Sequence, residues 1–87
     1  MEPQPTTEVA IRARIARLVG SGELTCDEPD QTWAGEGLGK RCAACLEPIR
    51  PPQIEFEVDL PGGRTYVLHQ RCHEMWLEVC AEEAKPS

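Results

Sequence analysis

The clearest pattern along the chain is a strict two-residue alternation past its midpoint. Ile54, Phe56, Val58 and Leu60 are interleaved with Glu55, Glu57 and Asp59, which predicts a strand with one apolar and one acidic face. Pro61-Gly62-Gly63 supplies turn chemistry, and Arg64-Thr65-Tyr66-Val67-Leu68 reads as the returning strand of a hairpin. The period then changes. Cys72, Met75, Trp76, Val79 and Cys80 recur at i, i+3, i+4, i+7 and i+8, predicting a helix that begins around His69 or Gln70, buries one face throughout and is ended by Pro86. A second helical stripe, Ile11, Ile15, Leu18 and Val19, lies near the start. Thr6 or Thr7 can cap it, Glu8 suits its first turn, and Gly20 and Gly22 end it, with Gly20 placed as a left-handed cap.

The remaining segments read as connections. Residues 1–5 suggest a disordered tail, and residues 23–31 an acidic, irregular linker that carries Cys26 and Pro29. Trp33 opens a glycine-rich stretch that only loosely matches a phosphate loop. Ala34 stands where the first glycine should be and Arg41 where the hydroxyl should be, so the stretch is expected to be a flexible approach to Cys42. Residues 46–52 contain three prolines and form a stiff connector. Arg12 and Arg14 fall on opposite edges of the first apolar stripe, so with Arg17 they flank it rather than forming one basic face.

The chemistry-bearing residues cluster in two close pairs. Cys42 and Cys45 form C-x2-C, and His69 and Cys72 answer as H-x2-C after 23 intervening residues. Two cysteines in a tight knuckle can present both sulfurs to one cation. His69 and Cys72, three apart at a helix start, share a face, and the helix dipole favours a thiolate there. This is the ligand grammar of a structural zinc site, with one Zn2+ held tetrahedrally by Cys42, Cys45, His69 and Cys72. His73 is a rival fourth ligand, giving Cys2His2. Cys72 is preferred because the spacing of 23 is nearly twice the roughly 12 residues of a C2H2 finger. Cys80 lies about 12 Å beyond Cys72 along the helix, too far to share the ion, and is read as a small core residue. A Cys26–Cys80 disulfide would require oxidation.

The order of knuckle, hairpin and helix resembles the treble-clef zinc folds, and the ligand spacing is similar to the first zinc half-site of LIM domains. The resemblance covers about residues 40–84. A LIM domain needs a second four-ligand cluster, which Cys80 alone does not provide. The chain also resembles small uncharacterised bacterial zinc proteins that pair such a module with an N-terminal helix. What the resemblance implies is an α+β fold: a small zinc-stabilised treble clef with an added N-terminal helix.

Length and charge narrow the role. At 87 residues the chain makes one compact domain, divisible into a tail, helix and linker over 1–32 and a zinc module over 33–87. So small a core needs a staple, and a structural zinc site contributes an apparent ~10–16 kcal/mol. The start has neither a basic nor an apolar signal region, no apolar run reaches membrane length, and five cysteines then suggest a reducing, cytoplasmic setting with no membrane partner.

A net charge of −6 gains little from nucleic acid. The expectation is a structural zinc-binding protein that serves as a protein-interaction or adaptor module, with Glu55, Glu57 and Asp59 as candidate contact surface. A nucleic-acid-binding regulatory zinc finger is the alternative, with Lys40, Arg41, Arg50 and Arg71 as its footprint, and a zinc or redox sensor is the third. Catalysis is not expected. Four protein ligands close the metal shell, and the His73-Glu74 pair lacks the second histidine of a zincin helix, since Leu77 occupies that place.

Overall fold

The computed structural model describes residues 7–84. The tail expected over residues 1–5, the alternative cap Thr6 and the helix stop at Pro86 lie outside the described residues. Helix α1 spans Glu8–Ser21. Thr7 is extended at its head and its hydroxyl accepts the Ala10 N–H at 3.1 Å, while Glu8 sits at the positive end of the helix dipole. Of the two glycines expected to end the helix, Gly22 and not Gly20 takes the left-handed cap, with φ 84°. Leu24 decides between the two glycines: its N–H bonds the Leu18 carbonyl at 3.1 Å, and its side chain is buried with Ile15 and Leu18.

The first part of the stretch read as a flexible approach, through Glu36, is a strand, and the loop proper begins at Gly37. Strand β1, Gln31–Glu36, pairs antiparallel with β2, Ile54–Leu60, setting Trp33 opposite Glu57 and Gly35 opposite Glu55. It shows no apolar alternation because the whole of β1 is exposed; backbone pairing, not burial, holds it. The irregular linker therefore ends at Asp30, and β1 runs across the boundary drawn between residues 32 and 33. The hairpin is as expected, with Gly62 and Gly63 at positive φ and β3, Arg64–His69, completing a sheet of order β1-β2-β3. Helix α2, Gln70–Ala84, follows without a break. The chain is thus a small α+β protein of two helices and a three-stranded antiparallel sheet.

One core joins these elements: Ile15, Leu18 and Leu24 from the α1 side, Val58, Leu60 and Leu68 from the sheet, and Met75, Trp76 and Val79 from α2. Ile54, expected there, is more than a third exposed at the start of β2. Glu55 departs in the opposite sense. It is only 8% exposed, and its carboxylate accepts the Leu38 N–H at 3.4 Å, so the acidic stripe reduces to Glu57 and Asp59. Outside the core, Arg12 pairs with Glu78 at 2.8 Å, and Arg71 donates to Glu8 at 2.8 Å and to Glu74 at 3.3 Å, bridging α1 and α2.

Cys80 is more than a small core residue. It forms a disulfide with Cys26, across a Cα separation of 5.4 Å. The reading of five reduced cysteines fails at this pair, because the linker after α1 passes α2 where Cys80 emerges from its buried face. The Tyr66 hydroxyl, which donates to the Glu23 carbonyl, fixes the same linker against β3.

Candidate metal centre

A close approach positions the knuckle. A Cβ on Gly37 would lie 2.4 Å from the Ile49 carbonyl oxygen, so only glycine lets β1 run into the loop at this point. From there the chain doubles back. The Gly39 N–H bonds the Ile49 carbonyl and the Ile49 N–H bonds the Lys40 carbonyl, both at 2.8 Å; Cys42 N–H reaches the Glu47 carbonyl at 2.9 Å, and Leu46 N–H the Cys42 carbonyl at 3.0 Å. Leu46 turns the corner with φ 67°, a left-handed conformation that its side chain disfavours. The Ala43 N–H then bonds the Val67 carbonyl at 2.8 Å, laying the knuckle along the outer edge of β3. His69, at the end of β3, and Cys72, in the first turn of α2, meet it there.

The four side chains converge. The ligand atoms of Cys42, Cys45, His69 and Cys72 all lie within 4.8 Å of one another, and among the described residues this is the one cluster able to hold a metal ion. The three cysteines are buried and none forms a disulfide. Cys42 Sγ accepts the N–H groups of Ala44 at 3.4 Å and His69 at 3.5 Å, the arrangement that stabilises a thiolate. His73, the rival ligand, is elsewhere: its ring stacks on Phe56 with centroids 4.6 Å apart.

His69 is oriented by a residue that the sequence did not single out. Its Nε2 lies 3.2 Å from the Gln53 side-chain oxygen, and its Nδ1 lies 3.3 Å from Cys45 Sγ. An amide oxygen only accepts, so Nε2 carries the proton and the Nδ1 lone pair is turned to the sulfurs. The same oxygen accepts the Arg50 N–H at 3.0 Å, which holds the carboxamide in place. Nothing in the local pattern marks Gln53; it follows two prolines and precedes the strand.

The electrostatics of the cluster depend on how many of its thiols ionise. Two thiolates within 4.8 Å of each other would repel by about 3–4 kcal/mol or more at an effective dielectric of about 20. The Cys42 thiol is pulled down to about 4, chiefly by the hydrogen bond from Cys72, with backbone donors helping against its burial. The Cys72 thiol is pushed strongly upward by that same bond, then by burial and the neighbouring charges, and burial raises Cys45 as well. Protein groups alone thus support one thiolate here, and a divalent cation is what would let the others ionise.

Among the basic residues considered for nucleic acid, Arg71 is engaged by Glu8 and Glu74, and Arg41 donates to the Leu46 carbonyl. No helix among the described residues is long and apolar enough to cross a membrane. The chain matches no protein-family model, no curated protein and no solved structure.

Proposed function

We propose that this chain is a structural zinc module of the treble-clef type that serves protein interaction, as an adaptor or regulator. The observation that carries the reading is the convergence of Cys42, Cys45, His69 and Cys72 within 4.8 Å. Thiolate and imidazole donors suit Zn2+ rather than Mg2+ or Ca2+, and four protein ligands make a closed shell with no place for substrate. The knuckle, the β2–β3 hairpin and α2 follow one another in the treble-clef order. Once bound, the ion would tie the knuckle to the head of α2 and supply folding free energy that a core of this size lacks. The acidic balance and the exposed Trp33 and Leu38 favour a protein partner over nucleic acid.

Metal analysis of purified protein, followed by melting before and after chelation, tests the scaffold. The expected result is stoichiometric zinc whose removal abolishes the cooperative transition. A chelated chain that melts unchanged would overturn it. The role is tested by comparing partners captured by the intact chain and by a Cys42→Ser unfolded control. Shifts of mixed DNA or RNA by folded protein, without capture, would favour the nucleic-acid alternative.

A further inference from the structure

The sheet has one open edge, at β1, and one partly covered edge, at β3. Just past β1, the Gly37 N–H reaches the Gln53 carbonyl at 2.8 Å. Hydrogen bonding alternates along an antiparallel pair, so with this register Gln31, Trp33 and Gly35 turn their backbone groups toward β2, and Thr32, Ala34 and Glu36 turn theirs away. Among the described residues no hydrogen bond reaches the backbone of these last three. The other edge is occupied toward its His69 end, where the Val67 carbonyl accepts from Ala43 and the His69 N–H donates to Cys42 Sγ.

The open edge lacks most of the features that protect free strands. Apart from Glu36 at its end, β1 has neither charge nor proline, and all of it is exposed. Trp33 is 55% exposed, with Glu57 as its cross-strand neighbour and Asp59 beside Gln31 in the next pair of the same face. Residues 23–39 carry five acidic groups and no basic one, and β2 adds Glu57 and Asp59. A second copy of this chain could supply the same backbone groups, but each copy has a net charge of −6 and would set acids against acids.

We infer that β1 receives an extended, basic segment of a partner protein by strand addition. The backbone of Thr32, Ala34 and Glu36 supplies the pairing. Alternate lysine or arginine side chains of the segment lie over Trp33 and reach toward Glu57 and Asp59. The inference rests on the protein-interaction reading above and gives it a surface and a partner chemistry.

The test uses metal-loaded, full-length protein and an end-blocked heptapeptide alternating lysine with valine, beside the same peptide with glutamate in place of lysine. Metal content and a cooperative melt are measured first, so a failed scaffold is recognised separately; the peptide result still decides the edge. The lysine peptide is expected to slow amide exchange at Thr32, Ala34 and Glu36. Ala34→Pro, which removes an outward N–H and leaves the β2 ladder intact, is expected to weaken binding about tenfold or more. Exchange in the unaltered chain decides the matter even if that variant is unstable. No protection at these three amides, or equal binding of the glutamate peptide, overturns the inference. So does a dimer in sedimentation whose β1 amides are protected before any peptide is added, which would make a second copy the occupant.

Discussion

The double variant Cys26→Ser/Cys80→Ser tests whether the disulfide is coupled to metal binding at the Cys42, Cys45, His69 and Cys72 cluster. The disulfide joins residues 54 apart in sequence, and the ring it closes contains Cys42, Cys45, His69 and Cys72. In the chain-entropy account, opening a ring of that length costs about 4 kcal/mol, and native disulfides in practice contribute roughly 2–4 kcal/mol. If the metal site forms only in the folded chain, lost folding free energy is lost metal affinity. A change of about 2–4 kcal/mol corresponds to roughly thirtyfold to a thousandfold in the dissociation constant. The expectation is therefore a large weakening of Zn2+ binding from two substitutions outside the metal cluster. Competition against a chelator of known affinity measures it, and urea unfolding of the metal-loaded proteins measures stability alongside. Unchanged affinity with a lowered unfolding midpoint would refute the coupling and show that the metal-free chain is already folded. Identical results in both assays would refute the bridge itself.

Other outcomes hinge on single positions. Cys72→Ala should abolish stoichiometric metal binding and His73→Ala should not, as read by metal analysis; the reverse would restore the Cys2His2 set. Gly37→Ala should cost about 1–3 kcal/mol in urea unfolding, because its Cβ would meet the Ile49 carbonyl oxygen at 2.4 Å and backbone must move on one side; an unchanged midpoint would contradict that contact. Burial beneath the hairpin lowers the His73 pKa, with Glu74 opposing. Its folded value lies below its unfolded value, so the neutral ring contributes stability that is fully present above about 6.5 and is lost as pH falls through the folded value. A ring titration by NMR in the metal-loaded chain should show a midpoint below about 6.5, and a midpoint at or above it would contradict the burial.

What could be read from the chain depended on whether burial wrote a period into it. The β2–β3 hairpin and both helices bury one side, and their apolar residues recur accordingly. The convergence of Cys42, Cys45, His69 and Cys72 was legible from spacing, because metal chemistry constrains which residues stand together. Strand β1 was invisible for the converse reason: Gln31–Glu36 buries nothing, and backbone pairing leaves no mark on residue choice. Glu55 looked like a solvent residue by alternation, yet the loop around Leu38 folds over it, a tertiary event that periodicity does not record. The path of the linker past α2 was likewise unwritten, so the pairing of Cys26 with Cys80 was not expected. Gln53 was missed because the orientation of an imidazole is a three-dimensional requirement that a lone glutamine does not advertise.

The knuckle laid along β3 acts as a stopper. Edge pairing at β1 uses the open edge, while in the intact molecule the knuckle blocks the His69 end of the other. Should the cluster fall apart and the knuckle lift, the Val67 carbonyl and the His69 amide would be released, and the sheet would become a two-ended template. Loss of the cluster would thus lengthen the run of β3 backbone open to pairing.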